Sequence, residues 1–186
     1  MTDQDYQSPY GNAAYHAASE TDVPLDRQFQ GKIAVVTGST QGLGLTAVKL
    51  MLRRGLKGAL ILGRKEAEGE ATARELSTPD QKVVYHRADL TDLDDCQSIH
   101  DRAIAEFGTY DILVNSAGIT DRGGILDGDA DLWERTFAIN ARAPFFLMQN
   151  AARHWREAGK PGTIVNVATV TAHGGVPFLT VYAASK

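Results

Sequence analysis

From Gly31 onward, the chain alternates short apolar runs with longer amphipathic segments. Continuous β-branched runs without polar alternation are typical of strands buried on both faces of a parallel sheet. Five such runs occur: Ile33-Ala34-Val35-Val36, Leu60-Ile61-Leu62, Val83-Val84-Tyr85, Ile112-Leu113-Val114 and Ile164-Val165-Asn166-Val167. The segments between them predict helices over about Leu43 to Arg54, Glu66 to Leu76, Leu93 to Phe107 and Asp131 to Ala158. Five strands alternating with four helices predict a doubly wound, parallel α/β sheet of the Rossmann type.

Two of these helices carry local signals. Thr91 or Asp92 stands where an N-cap residue would precede the third helix. Cys96 falls among the apolar positions of that helix, which predicts a small buried side chain. Pro144 lies inside the fourth helix and is expected to bend it.

Length and residue usage set the domain organisation. A chain of 186 residues favours one domain with a sizeable core. Residues 1–28 are mostly polar, without a sustained hydrophobic period, and carry scattered prolines. They predict a flexible tail, followed by a folded domain over residues 29–186.

Charge and composition argue against several classes of function. The net charge of −4, without a basic cluster, disfavours nucleic acid as a partner. No apolar run approaches the roughly 18–20 residues of a membrane-spanning helix, and the amino terminus is acidic where a secretory signal would be basic. Cys96 is the only cysteine, so the sequence suggests neither an internal disulfide nor a cysteine-based metal site. We therefore expect a cytoplasmic protein without membrane contact or a metal.

A glycine-rich turn joins the first predicted strand to the first predicted helix, with the sequence Thr37-Gly38-Ser39-Thr40-Gln41-Gly42-Leu43-Gly44. Its three glycines permit a tight turn, close approach of the backbone to a pyrophosphate, and close packing of helix on strand. The helix amino terminus then offers free N–H groups and a positive dipole end to phosphate. A glycine cluster alone is often only a turn, but this position in a βαβ series predicts dinucleotide binding by residues 38–44.

Tyr182 and Lys186 stand four residues apart in the string Tyr182-Ala183-Ala184-Ser185-Lys186. On a helix they would share one face, about one turn apart. A nearby ammonium favours a phenolate, so such a tyrosine can donate and accept a proton near neutral pH. A tyrosine and a lysine at this spacing also occur on solvated helix faces. The glycine turn elsewhere in the chain strengthens the interpretation of this pair as catalytic.

The TGxxxGxG spacing and the YxxxK pair together resemble the short-chain dehydrogenase/reductase family, over about Gly31 to Lys186. The resemblance implies that Asp89, followed by Leu90, holds the adenine ring of the cofactor, although an acid there also suits a helix cap. Asn115-Ser116-Ala117-Gly118 resembles the NNAG motif of the family, with Ser116 in place of the second asparagine. Asn140 matches the asparagine that bends a helix in the family and positions a water in a proton relay.

The resemblance also implies a catalytic hydroxyl thirteen residues before the tyrosine. That position holds Thr169, where the family usually has serine. Threonine keeps the hydroxyl but adds a methyl group and restricts χ1. Thr171 is the alternative. The implied reaction is hydride transfer between a nicotinamide and a small carbonyl or alcohol, with Tyr182 as general acid/base, Lys186 assisting it and binding the ribose, and Thr169 orienting the carbonyl oxygen.

The end of the second predicted strand bears on cofactor choice. Enzymes that prefer NAD place an acid there for the ribose 2′-hydroxyl, whereas an arginine accommodates a 2′-phosphate. This strand ends at Leu62-Gly63-Arg64-Lys65, with two bases and no acid. The other basic signal of the family, inside the glycine turn, is replaced by Gln41. The sequence predicts NADP in preference to NAD, with Arg64 as the 2′-phosphate ligand; the alternative is that both bases only begin a solvated helix.

The sequence leaves the substrate open. Residues expected to border the substrate pocket are Ile119, Thr120, Val170, His173 and Phe178. Two further functions remain as alternatives: a catalytically inactive nucleotide-binding or interaction protein with the same fold, and an epimerase or dehydratase that uses the same cofactor. The resemblance implies that the full-length form is a homo-oligomer.

Relatives in the family continue beyond the catalytic lysine through a long helix and two further strands. We therefore expect the 186 residues to be a fragment that lacks the C-terminal strands of its sheet. Made alone, such a fragment is expected to be inactive and poorly soluble, because an open sheet edge invites aggregation.

Overall fold

The computed structural model describes residues 24–120, 122–174 and 176–186. Most of the predicted tail, residues 1–23, lies outside the described residues. The last part of that tail includes a 3₁₀ turn at Leu25–Arg27.

The described residues form one parallel sheet of five strands. The strands are β1 (Ile33–Thr37), β2 (Gly58–Gly63), β3 (Lys82–Arg87), β4 (Ile112–Asn115) and β5 (Thr163–Asn166). They lie in the order β3-β2-β1-β4-β5, and every neighbouring pair is parallel. The prediction of a doubly wound parallel α/β sheet is confirmed. Because the strand order reverses between β1 and β4, a crevice opens at their carboxyl ends, where ligands bind in sheets of this kind.

Helices connect successive strands and cover both faces of the sheet. They are α1 (Gly42–Arg53), α2 (Glu66–Leu76), α3 (Leu93–Phe107), α4 (Ala130–Phe137), α5 (Ala143–Glu157) and α6 (Thr180–Ala184). Asp92, and not Thr91, caps α3, because its side chain accepts a bond from the Asp94 N–H. In the parts of the chain described above, no helix combines the length and apolar character needed to cross a membrane.

The fourth predicted helix, Asp131 to Ala158, is not a single regular helix. A π-helical segment, Ala138–Arg142, separates α4 from α5. Pro144 follows it and has no N–H to give to the Asn140 carbonyl four residues earlier, so regular α-helical bonding cannot pass this point. Where the sequence predicted a bend, the structure has a π segment. Such segments often occur at functional sites.

The core has two layers, one on each face of the sheet. Alternate residues of β1 point to opposite layers, with Val35 in one and Val36 in the other. Val35 packs with residues of α3 and α5, among them Ile99, Leu147 and Trp155. Each fully buried side chain of this size contributes about 1.5–3 kcal/mol. The layers fix the central strands, and thus the positions of their carboxyl ends.

The last strand, β5, lies at an edge of the described sheet. It forms as predicted and pairs with β4, but all of its residues, Thr163–Asn166, are exposed rather than buried on both faces. In the described part of the chain β5 is an edge strand with one pairing neighbour, which leaves the side chains of Ile164 and Val165 open. The apolar run predicted the strand, and the exposure of β5 agrees with the open sheet edge expected from the sequence.

Tyr85 of β3 couples the sheet to the end of β2. Its ring lies under α2, so close to Gly69 that a Cβ at residue 69 would overlap it. Its hydroxyl donates to the Gly63 carbonyl at 2.9 Å. Gly69 therefore allows the ring to fit beneath the helix, and the ring holds the turn that follows β2.

This packing predicts that replacing Gly69 by alanine lowers stability, the opposite of the usual effect inside a helix. Glycine to alanine inside a helix normally stabilises by about 1 kcal/mol. Gly69→Ala should instead destabilise by about 1–3 kcal/mol, because the new methyl group overlaps the Tyr85 ring. Urea unfolding measures this difference. Glu70→Ala, at an exposed position of the same helix, is the control and should change stability little. A gain in stability for Gly69→Ala would contradict the packing.

Candidate active site

A cleft of about 320 Å³ lies at the carboxyl ends of the strands, at the reversal between β1 and β4. It is formed by the glycine turn, the end of β2, the turn after β3 and the turn after β4. The predicted cofactor residues that line it are Gly38, Thr40, Gln41, Gly42, Leu43, Gly44, Arg64, Asp89, Leu90, Ala117 and Gly118. The fold thus brings four separate sequence motifs to one surface.

The glycines of the turn fit a dinucleotide. Gly38 has a φ of +61°, and a Cβ there would lie 2.8 Å from Cα of Ala117, so only glycine allows the two turns to approach. Gly44 packs against the Gly38 carbonyl with no room for a side chain. The amino end of α1 has no side-chain cap and no acid in its first turn. Its free N–H groups and dipole are therefore available to a phosphate.

Ser39, by contrast, does not line the cleft. Its side chain is fully buried; its hydroxyl donates to the Val36 carbonyl and accepts a bond from the Leu62 N–H at 2.9 Å. This places Ser39 as a link between the ends of β1 and β2. The predicted cofactor contact of Ser39 stays a prediction, and its hydroxyl is already used within the protein.

Thr37, which sequence reasoning did not single out, holds the two sides of the crevice together. Its buried hydroxyl oxygen accepts bonds from the N–H groups of Ser116 and Ala117, at 3.1 and 3.0 Å. Both donors belong to the turn after β4. The signal in the sequence was a hydroxyl residue at the last position of β1, directly before the glycine turn.

Asn115 lies beneath the cleft and is buried at the end of β4. Its Nδ2 donates to Oδ1 of Asn166 at 2.8 Å, which ties the ends of β4 and β5. Its own Oδ1 is buried and has no hydrogen-bond partner among the described residues. Asn115 therefore supports the turn that contains Ala117 and Gly118, and these two residues line the cleft.

Asp89 forms a tight turn at the adenine end predicted from the resemblance. Its Oδ1 accepts bonds from the backbone N–H and the hydroxyl of Thr91, at 3.0 and 2.8 Å. These bonds, the backbone one first, hold the pKa of Asp89 below its usual range, with Arg64 and Arg87 adding to the shift. Asp89 does not cap α3, since Asp92 does.

The two bases after β2 differ in their surroundings. Nζ of Lys65 pairs with the Glu68 carboxylate at 2.8 Å. Arg64 and Lys65 both line the cleft and are exposed, but within the described chain no hydrogen bond or ion pair engages the Arg64 guanidinium. Arg64 is thus the base at this end of the cleft that is available to a ligand.

Asn140 is buried in the π segment, and both the nitrogen and the oxygen of its side-chain amide are hydrogen-bonded. Oδ1 accepts from the Ile119 N–H, and Nδ2 donates to the Ile119 carbonyl and to the Ser185 hydroxyl, all at 2.9 Å. The amide therefore joins the turn after β4 to the segment that carries Tyr182 and Lys186. Ser185, buried inside the YxxxK string, was also missed by sequence reasoning.

Lys186 follows directly on the last turn of α6, where the Ser185 N–H bonds the Val181 carbonyl and the Lys186 N–H bonds the Ala183 carbonyl. Its Nζ donates to the Val167 carbonyl at 2.9 Å, and burial lowers its pKa. A Cβ at Gly118 would lie 3.2 Å from this Nζ and 3.3 Å from Oδ1 of Asn140. Two of the predicted catalytic residues, Asn140 and Lys186, therefore meet the cleft at Gly118.

Thr169 and Thr171 lie together at the end of β5. Oγ1 of Thr169 accepts bonds from the N–H and the hydroxyl of Thr171, at 3.3 and 3.2 Å. Because both bonds use the lone pairs of Thr169, its hydroxyl proton stays available to another acceptor. Tyr182 is half-buried on α6, and its carbonyl accepts a bond from the Ser185 hydroxyl at 2.8 Å.

Comparison with known proteins agrees with this geometry. The sequence model described as short chain dehydrogenase matches residues 32–186. The chain belongs to the short-chain dehydrogenase family. It is 34% identical over 158 residues to 2-dehydro-3-deoxy-D-gluconate 5-dehydrogenase of Escherichia coli, covering 85% of this chain and 61% of that protein. It is 33% identical over 163 residues to cis-4-hydroxycyclohexanecarboxylate dehydrogenase of Sinomonas cyclohexanicum, covering 87% of this chain and 64% of that protein.

Solved structures of the family share the fold. One short chain dehydrogenase/reductase family protein is 35% identical with a TM-score of 0.76, covering 86% of this chain and 64% of that one. A metagenomic short-chain oxidoreductase in complex with NADP is 26% identical with a TM-score of 0.78, covering 85% and 71%. The chain spans about three fifths of the length of the curated relatives it matches.

Proposed function

We propose that the protein is an oxidoreductase that transfers a hydride between NADP(H) and a small carbonyl or alcohol substrate. The observation that carries this proposal is the junction at Gly118. This residue lines the dinucleotide cleft and has Nζ of Lys186 and Oδ1 of Asn140 directly beside it. A cofactor in the cleft would therefore reach the group of side chains suited to proton transfer.

Each residue has a distinct part in the proposed reaction. A nicotinamide bound in the cleft supplies or accepts the hydride. Tyr182 donates a proton to the substrate oxygen during reduction and removes it during oxidation. Thr169 donates its free hydroxyl proton to the same oxygen, which polarises and orients the carbonyl.

Lys186 supports Tyr182 and the cofactor. Its ammonium has three donors, of which one goes to the Val167 carbonyl. The remaining donors are free to hydrogen-bond the nicotinamide ribose, and the positive charge favours the phenolate form of Tyr182. Burial lowers the pKa of Lys186 itself. The lysine therefore gives up a proton more easily when the Tyr182 phenolate must be reprotonated.

Asn140 contributes to proton supply through its main chain. Both N–H donors of its side-chain amide are committed, to Ile119 and Ser185, and its Oδ1 already accepts the Ile119 N–H. Pro144 cannot bond the Asn140 carbonyl in the α-helical manner because it lacks an N–H. We assign the water of the proposed relay to this carbonyl.

The preference for NADP rests on Arg64. Its guanidinium is exposed in the cleft, whereas Lys65 is paired with Glu68. An arginine binds a phosphate through two parallel hydrogen bonds, whereas a carboxylate at this position would repel it. The cytoplasmic location and homo-oligomeric state expected from the sequence stay predictions.

The role of Tyr182 is tested by Tyr182→Phe in the complete natural protein. Loss of the proton-transferring oxygen should lower kcat by about 10²–10⁴-fold, whereas NADPH affinity should stay nearly unchanged because the ring still packs. NADPH oxidation and cofactor fluorescence measure the two quantities. Tyr110→Phe removes a buried hydroxyl remote from the cleft and should keep full turnover. Binding without turnover in the unaltered protein would favour the inactive nucleotide-binding alternative.

Two variants separate the candidate hydroxyls. Thr169→Ala should lower kcat by about 10²–10³-fold, because the carbonyl loses a preorganised donor. Thr169→Ser keeps the hydroxyl and should remain active. If Thr169→Ala retains the original kcat and Thr171→Ala does not, the catalytic role belongs to Thr171. The hydrogen bond between the two hydroxyls would then have no part in catalysis.

Cofactor preference is tested by Arg64→Ala. A charge-assisted bond to phosphate is worth about 1.5–3 kcal/mol, so KM for NADPH should rise about 10- to 150-fold with little change for NADH. Lys65→Ala is the matched control, since that lysine already pairs with Glu68. Equal losses for both cofactors would remove the 2′-phosphate role from Arg64.

A further inference from the structure

The turn after β3 contributes three residues to the wall of the cleft: Ala88, Asp89 and Leu90. Bonds within the turn give it its shape. Oδ1 of Asp89 accepts from the N–H and the hydroxyl of Thr91, and the Asp92 N–H donates to the Asp89 carbonyl at 3.0 Å. These internal bonds do not fix where the turn lies relative to the rest of the cleft.

Two charged side chains fasten this turn to its surroundings. Oδ2 of Asp95, on α3, accepts a bond from the Asp89 N–H at 2.7 Å. Nη2 of Arg142, the last residue of the π segment, donates to the Thr91 carbonyl at 2.6 Å. Neither Asp95 nor Arg142 lines the cleft that the described residues form. They can therefore act on a ligand there only through the turn.

The π segment holds a second turn of the same cleft. Its Asn140 side chain bonds both the N–H and the carbonyl of Ile119, which lines the cleft in the turn after β4. Residues two apart on a helix point in nearly opposite directions. Asn140 and Arg142 can therefore reach different turns from one short segment, and the π segment connects the turn after β3 to the turn after β4.

The bond from Arg142 is more than a surface charge contact. Arg142 is exposed, and many ion pairs between exposed side chains contribute little to stability. The acceptor here is instead a backbone carbonyl of the turn itself. The first turn of α3 presents the carboxylates of Asp94 and Asp95, yet among the residues that the structure describes no ion pair joins either of them to Arg142. The guanidinium therefore fixes the path of the turn.

We propose that Arg142 and Asp95 are positioning residues, which hold the turn after β3 ready for the adenosine half of the cofactor without touching the cofactor. The inference rests on the proposed function and on the predicted contact of Asp89 with adenine. A turn that already has its binding conformation does not have to be ordered when the ligand arrives, so binding does not lose that free energy. Removing either bond should weaken the binding of adenosine-containing ligands and leave hydride transfer itself unchanged.

The experiment measures affinity for 2′,5′-ADP, which contains the adenosine half of NADP and no nicotinamide, by calorimetry on the complete protein. Arg142→Ala should raise the Kd about 10-fold, near the lower end of what a hydrogen bond to a charged group contributes. KM for NADPH should rise by the same factor, whereas kcat at saturating NADPH should stay nearly unchanged. Arg142→Lys keeps a cationic donor and should recover most of the affinity. Arg153→Ala, at an exposed position of α5, is the matched control and should change neither quantity.

A second pair of variants tests the other bond. Asp95→Ala should weaken 2′,5′-ADP binding in the same way, and Asp95→Asn should recover most of the affinity because an amide oxygen can still accept the Asp89 N–H. Asp94→Ala removes a neighbouring acid from the same helical turn and is the control. Its affinity for 2′,5′-ADP should equal that of the unaltered protein.

The possible results separate this inference from the proposed function. Unchanged affinity for 2′,5′-ADP in both alanine variants, with NADPH still consumed, would overturn the positioning role and leave the proposed function standing. A lower Tm and a lower kcat, without rescue by Arg142→Lys, would show a general structural role and would also overturn the inference. If the unaltered protein binds 2′,5′-ADP and never oxidises NADPH, the proposed function fails, and the 10-fold loss in Arg142→Ala still supports the positioning role. No binding of 2′,5′-ADP by the unaltered protein would overturn both.

Discussion

The arrangement of the site depends on the contact between the ends of β1 and β4. Parallel crossovers leave these strands in opposite directions and open a crevice between them. One hydroxyl, on Thr37, accepts N–H bonds from the turn after β4, and Gly38 lets that turn come to within van der Waals distance. The strands themselves are held by their pairing, and this contact sets how closely the two turns approach above them. A rigid dinucleotide site requires a fixed distance between these turns.

The second half of the site is connected to the first through backbone groups. The amide of Asn140 bonds both the N–H and the carbonyl of Ile119, and Lys186 bonds the carbonyl of Val167. In each of these bonds the partner of the side chain is a backbone group, so its position depends on the path of the chain and not on the identity of the partner residue. These bonds bring the Lys186 ammonium and the Asn140 amide beside Gly118, although these residues come from distant parts of the sequence. The π segment supplies the necessary change in helical phase.

The sequence predicted the parts of this molecule that depend on local pattern. The bounds of α2 coincide with the prediction, and all five apolar runs form strands, because buried parallel strands and amphipathic helices have distinct periods. The π segment was not predictable in form, since Pro144 indicates an interruption but not how the backbone resolves it. The exposure of β5 does not follow from its apolar run, which carries no information about neighbouring strands, but from the open sheet edge that the family resemblance implied. Ser39 was assigned to the cofactor by its place in the motif, whereas its hydroxyl bonds two strand ends.

The most direct measurement follows a labelled hydride. The complete protein is supplied in ordinary water with a ketone and NADPH in which both hydrogens at nicotinamide C4 are deuterium. If the cleft and the Tyr182 group act together as proposed, the alcohol product carries one deuterium on its carbinol carbon, because the hydride passes directly from cofactor to substrate. An alcohol product without deuterium, or NADPH that binds and is never consumed, would contradict the account.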